Sequence, residues 1–226
     1  MELTIYHGSK NIIEKPRYHV GNIHNDYGFG FYCTENLELA KEWASDNDGG
    51  NGFANEYSLD IEGLRILDLT DKRYSILNWM AVLLKHRTFD LSNEISVQAK
   101  RYLIKNFYVD VGEYDVVIGY RADDSYFAFA RDFINNTISV RQLSRAMELG
   151  ELGKQIVIVS ELAFSRLTFK GFEAADRTVY LAKRMARDEK AREEYFKKTR
   201  KMTMFSKDLF VVDVIRKGLK NGDPIV

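Results

Sequence analysis

Apolar residues recur along this chain at two spacings, and the switch between them marks out the elements. "LTIYHGS" (3–9) alternates apolar and polar positions and breaks at a glycine, which predicts a strand running into a turn. In "NLELAKEWASD" (36–46), Leu37, Ala40, Trp43 and Ala44 share one face of a 3.6-residue period, with Thr34 or Asn36 as the cap. "NEYSLDI" (55–61) and "LRILDLT" (64–70) alternate again and read as strands. "YSILNWMAVLLKHR" (74–87) and "SVQAKRYLIKNF" (96–107) return to the helical period, the first with a wide apolar face. "YDVVIGYRA" (114–122) and "KQIVIVS" (154–160) are short apolar runs of buried-strand type. Between them "SYFAFARDFINN" (125–136) and "SVRQLSRAMELG" (139–150) read as helices, and "SRLTFKGFEA" (165–174) as a last strand. From Asp176 the chain turns charge-dense and helical, with mixed-sign pairs at i,i+4, and "TMFSKDLFVVDVIRKGL" (203–219) is apolar enough to pack. Strands and helices mix without strict βαβ order, so the expected class is α+β. The expected division is a domain over 1–172 and a helical C-terminal extension over 173–226, with a glycine-rich loop from Asp46 to Gly52 as the one linker candidate inside the fold.

Composition narrows the function classes. The chain has 226 residues, 45% hydrophobic, enough to bury a real core. Its 33 basic and 33 acidic residues cancel, so no global field draws it to nucleic acid or to an anionic membrane. Cys33 is the only cysteine, which fits a reducing compartment. The opening "MELTIYHGSK" is not a secretion signal, and no apolar run approaches the length of a spanning helix, so a cytoplasmic protein without a membrane partner is expected. His7, His19, His24 and His86 form no H-x-x-x-H and have no cysteine pair, so no metal is expected. No G-x-S-x-G accompanies Cys33, and a nucleophilic triad has no support.

Three segments invite closer reading. "IYHGSK" ends a strand in His-Gly. "YGFGFYCTENLELAKEWA" interleaves glycines with aromatics, and a glycine in a strand often marks close approach of a ligand or another backbone. "KQIVIVSELAF" sets one polar residue, Gln155, at the mouth of an apolar strand. Taken singly, each is also an ordinary strand end with core aromatics.

In this order the three resemble the signature segments of the ADP-ribosyltransferase superfamily, in its His-Tyr-Glu branch. The resemblance covers roughly residues 3 to 170, and within the superfamily the chain looks most like the bacterial DUF3990 proteins, through "YHGS", the Gly-Phe-Tyr strand, "YDVVIGYRADDSYF" and "KQIVIVSELAF". It implies a split, two-sheet core that binds NAD as a substrate. It maps His7 and Tyr32 onto the family histidine and tyrosine, and puts Gln155 where the glutamate is expected. Trp43 falls where polymerase-type members carry a second tyrosine.

On that reading His7, with Ser9 assisting, holds a ribose hydroxyl. The Gly8 backbone reads the carboxamide, Tyr32 stacks on the nicotinamide ring, and Trp43 closes its other side. Gln155 accepts a hydrogen bond from the ribose but brings no charge and cannot act as a base. Three possibilities follow: the acceptor is already a good nucleophile, another carboxylate (Asp123, Asp124 or Glu151) enters the site, or NAD is bound without turnover. Gly153 stands where arginine-specific members carry Glu or Gln, which disfavours arginine as acceptor. The function implied is mono-ADP-ribosyl transfer to an intracellular macromolecule, protein or nucleic acid, by a bacterial toxin or anti-phage effector with a cognate antitoxin. The alternatives are a non-catalytic NAD-binding module and a structural protein. Asp123 and Asp124 are equally readable as caps of the helix that follows them.

Overall fold

In the computed structural model of the chain, residues 1–45, 49–91, 93–149, 153–200 and 208–224 are described, without the side chains of 124, 125 and 198–200. Two open sheets and eight α-helices make a mixed α+β architecture among these residues. The first sheet is antiparallel, in the order β1 (Glu2–Ser9), β3 (Gly52–Asp60), β7 (Leu167–Ala175). The second runs β2 (Phe31–Cys33), β6 (Lys154–Ile158), β5 (Val116–Tyr120), β4 (Ile66–Asp68), with β4 and β5 parallel. They meet where Tyr6 of β1 and Thr34, just past β2, exchange backbone hydrogen bonds of 2.8 and 2.9 Å.

Alternation along β6 decides which side faces what. Ile156 and Ile158 enter a small core between the sheets with Ile5, Phe31, Cys33, Tyr57 and Leu59. Val157 points the other way, into the large core built on α2 (Ile76–His86). Gln155 has the parity of Val157, and Tyr32 lies opposite Val157 in the β2–β6 register. Both are therefore carried on the α2 side of the sheet.

Helix α2 has nine successive buried residues, Ile76 to Leu84, wrapped by α3 (Glu94–Phe107), α4 (Asp124–Ile134) and α5 (Val140–Met147). A capping box of Ser75 and Asn78 starts it. Helix α1 (Leu37–Trp43), capped by Asn36, lies on β1. A Cβ on Gly8 would come within 2.0 Å of the Ala40 carbonyl oxygen, so that glycine lets α1 approach β1.

A short helix α6 (Glu161–Ser165) follows β6. The C-terminal α7 (Arg177–Glu194) runs into a π-helical turn, Tyr195–Arg200, and α8 (Val211–Arg216) comes last. The boundary expected at 172/173 falls inside β7, and Tyr195, Leu209, Val211 and Val214 belong to the large core. The C-terminal segment is thus built into the fold. Helix α7 lies against α1 through Glu42–Arg187 and through Glu38–Lys183 at 2.7 Å.

The strand expected in "YGFGFYCT" is only Phe31–Cys33. Gly28 has φ +78°, a left-handed conformation that ends extended backbone before it. Of the Asp46–Gly52 loop, 46–48 lie outside the described residues, and Gly52 already belongs to β3.

Candidate functional site

A cavity of about 680 Å³ opens on the α2 side of the sheet junction, a size typical of small-molecule sites. His7 from β1, Tyr32 from β2, Trp43 from the end of α1 and Gln155 from β6 all line it. Segment 12–17 of the β1–β2 loop forms one wall, and Arg87, Arg121 and Asp123 stand at other points of the lining.

Each side chain has a local reason for its place. The His7 ring stacks on Phe31 with centroids 4.2 Å apart, and its Nδ1 lies 2.7 Å from the Tyr32 carbonyl oxygen. A carbonyl only accepts, so Nδ1 carries the proton and Nε2 of the neutral ring is an acceptor. Burial lowers the His7 pKa, and the bond to the Tyr32 carbonyl offsets part of that shift. The Tyr32 hydroxyl donates to the Gly28 carbonyl at 2.7 Å and accepts the Tyr27 N–H at 3.1 Å. Burial raises the Tyr32 pKa, so the phenol stays protonated at neutral pH. The Arg121 guanidinium lies 4.1 Å from the Trp43 ring centroid, a cation–π contact covering that face of the indole. The Trp43 Nε1–H is buried without a hydrogen-bond partner.

Gln155 is 4% exposed, and its Nε2 donates to Asp26 Oδ2 at 2.8 Å. Asp26, also 4% exposed, lines the cavity too. Its Oδ2 accepts the Ala122 N–H at 2.8 Å as well, and its Oδ1 lies 3.4 Å from Arg87 Nη1 with no hydrogen bond of its own.

Asp26 is seated by its neighbours in sequence. The Tyr27 ring enters against Gly119, directly opposite Gln155 on β5, where a Cβ would fall 2.0 Å from the Tyr27 hydroxyl oxygen. That hydroxyl donates to the Tyr120 carbonyl at 2.7 Å. On the other side Gly28 presses against His86 in the last turn of α2, one residue before Arg87. Two glycines thus dock the 26–28 segment so that its carboxylate meets both Gln155 and Arg87.

The sequence expectations divide here. His7, Tyr32, Trp43 and Gln155 come together at one cavity, and Asp123 joins them. Asp123 precedes α4 but makes no side-chain cap bond; it pairs with Arg121. Gly8 and Ser9 are not in the lining. The open side of Gly8 is filled by α1, and the Ser9 hydroxyl donates to the Asn11 carbonyl at 2.5 Å and accepts from Asn55 at 3.1 Å. Both belong to the packing of β1 and its loop; the contact with α1 occupies the side-chain face of Gly8, not the backbone N–H and C=O that its expected role uses. The side chain of Asp124, and Glu151 entirely, lie outside the described residues.

Sequence reasoning missed Asp26 and Arg87. A single Asp in a loop before Tyr-Gly looks like a turn residue, and an Arg after a helix looks like a C-cap. It also missed Asn55, fully buried in β3, whose amide donates to the His7 and Asn11 carbonyls and whose oxygen accepts the Ile13 N–H at 2.9 Å. That residue anchors the loop wall.

Among the described residues no group of three or more His, Cys, Asp or Glu could hold a metal ion. No helix among them is long and apolar enough to cross a membrane.

Fold and cavity define a mixed α+β domain with a polar cleft where two sheets join. A family model matches residues 3–169, and the chain belongs to that family, DUF3990, proteins of unknown function. Comparison with curated proteins and with solved structures finds no match.

Proposed function

We propose that this chain is an ADP-ribosyltransferase-like protein that binds NAD⁺ in the cavity and transfers one ADP-ribose unit to a macromolecular acceptor. The observation that carries the reading is the convergence of His7, Tyr32, Trp43 and Gln155, from four elements, on one cavity.

The neutral His7 ring offers Nε2 to a ribose hydroxyl. The Tyr32 ring, its hydroxyl tied to Gly28, presents a fixed face to the cationic nicotinamide. Stacking on the covered face of Trp43 would displace Arg121. Gln155, with its nitrogen held by Asp26, offers Oε1 as an acceptor to a second ribose hydroxyl. The bond from ribose C1′ to the nicotinamide nitrogen breaks, and its electron pair leaves with nicotinamide. The acceptor heteroatom bonds C1′ and releases its proton. Charge on the intervening oxocarbenium is met by fixed dipoles and carboxylates, as in glycoside hydrolysis.

Single-unit transfer is expected, because elongation needs a ribose hydroxyl activated as a nucleophile and Gln155 cannot itself take that proton. A toxin or anti-phage effector acting on a cytoplasmic acceptor, held by a cognate antitoxin, fits this chemistry. Labelled NAD⁺ incubated with the protein and cell lysate is expected to give one discrete modified species with nicotinamide release. Long polymers would overturn the role of Gln155, and NAD⁺ binding without nicotinamide release would leave an NAD-binding module.

A further inference from the structure

We infer that Asp26 is the positioning residue of this site: it sets the orientation of the Gln155 carboxamide and holds the negative charge that residue 155 lacks. The inference rests on the NAD⁺ reading above and extends it to a residue that the motif comparison does not mark. A carboxylate only accepts, so the Gln155 atom 2.8 Å from Asp26 Oδ2 is its nitrogen, and Oε1 is the atom left for a ligand. Without Asp26 nothing in this contact distinguishes the two amide orientations, and the flipped one would present N–H where an acceptor is needed. Burial of both side chains strengthens the effect, since an amide flipped toward a buried carboxylate oxygen would oppose oxygen to oxygen.

The second observation is the unbonded oxygen. Asp26 Oδ1 is buried and makes no hydrogen bond, and Arg87 Nη1 lies 3.4 Å from it. A carboxylate built only to hold the loop would be expected to use both oxygens. Here one oxygen takes both hydrogen bonds, from Ala122 and Gln155, while the other takes none and faces Arg87 as an ion pair beside the cavity. The charged and titratable groups around the pair are Arg87 from the end of α2, the Tyr27 and Tyr32 phenols, and, elsewhere on the cavity lining, His7, Glu14, Lys15, Arg17, Arg121 and Asp123.

The pair makes a counter-intuitive statement about Gln155→Glu. On motif grounds that change restores the expected glutamate and should raise activity. With Asp26 in place it brings a second carboxylate to about the same contact, where like charges cannot both ionise cheaply. At low pH the introduced carboxyl keeps its proton, donates it to Asp26 and imitates the amide. As pH rises that proton is lost, and the protonated fraction falls about tenfold per pH unit beyond the raised carboxyl pKa.

The test uses the full chain as wild type, Asp26→Asn, Gln155→Glu and the double variant, at a series of pH values from about 5 to 8. Denaturant midpoints come first, because they read the pair whether or not NAD⁺ binds. The Gln155→Glu midpoint is expected to fall as pH rises, wild type to show no such added fall, and the double variant to lose the fall. Nicotinamide release then reads the site. Asp26→Asn is expected to lower kcat at least tenfold with a smaller change in KM, and Gln155→Glu to lose activity toward pH 8. A Gln155→Glu variant as stable and as active as wild type at pH 8, or an Asp26→Asn variant with unchanged kcat, overturns the inference. If the stability pattern holds while wild type neither binds nor consumes NAD⁺, the pair is real, the NAD⁺ reading fails, and the positioning role fails with it.

Discussion

The chain has two tryptophans, and they sit in opposite kinds of surroundings. Trp79 is fully buried in α2, and its Nε1–H donates to the Tyr120 carbonyl at 3.0 Å. Trp43 stands half-buried at the cavity, and its Nε1–H has no partner. The contrast extends to the polar residues beside them. Asn78, buried next to Trp79, bonds Ser75, the Phe107 carbonyl and Asn221. Asp26, buried at the cavity, leaves one oxygen unbonded. Around Trp79 and Asn78 the polar groups close on one another, while at the end of α2 the buried Nε2 of His86 has no hydrogen-bond partner. At the cleft, donors and acceptors remain, and they cluster on residues from different elements.

The largest effect that separates the two regions is expected from the tryptophans. Trp79→Ala removes a large side chain from a closed core and one of the two donors to the Tyr120 carbonyl, and should cost about 3–5 kcal/mol in urea unfolding. Trp43→Ala gives up partial burial and a cation–π contact, about 1–2 kcal/mol, while reducing NAD⁺ affinity. Equal losses of stability with unchanged affinity would erase the distinction.

Next comes Asn55, the polar residue that ties the cleft wall to β3. Asn55→Ala leaves the Ile13 N–H without its partner, removes one donor from the His7 and Asn11 carbonyls, and is expected to cost about 1–3 kcal/mol. Because segment 12–17 lines the cavity, proteolysis in that loop should speed up with it. A loop no more readily cut than in wild type would show that other contacts hold the wall.

The smallest effect is on pH dependence. Burial depresses the His7 pKa below 6.5, so the folded chain binds fewer protons than the unfolded one just below that pH. The stability this contributes is fully present above about pH 6.5 and is lost as pH falls toward the folded value. His86 shifts the same way, by burial first and then by Lys85. Wild-type stability should decline between about pH 7 and 5.5, and His7→Gln should flatten part of that slope. An unchanged slope would mean that the His7 pKa does not change on folding.

Much of this fold was legible because element type is a local property. The alternation in "NEYSLDI" and the helical period in "YSILNWMAVLLKHR" name β3 and α2 directly. Strand order was not legible. Nothing in "KQIVIVS" says that β2 and β5 flank it, and that order decides which residues share a cleft. The glycines show the limit most clearly. Gly8 was expected to admit a ligand to its backbone and makes room for α1 on its side-chain face, and Gly119 drew no attention yet makes room for Tyr27 and so for Asp26. A missing side chain is visible in sequence, but what fills the space is decided by tertiary packing. The missing charge at Gln155 could be read from the motif. The carboxylate beside it could not, because Asp26 and Gln155 are joined only by the fold.

The central claim is that the cleft between the sheets holds NAD⁺, and thermal or denaturant unfolding with and without NAD⁺ tests it directly. At a hundredfold excess over Kd the wild type should gain about 2.7 kcal/mol, and Trp43→Ala at the same NAD⁺ concentration should gain clearly less. A wild-type unfolding curve that millimolar NAD⁺ leaves in place would contradict it.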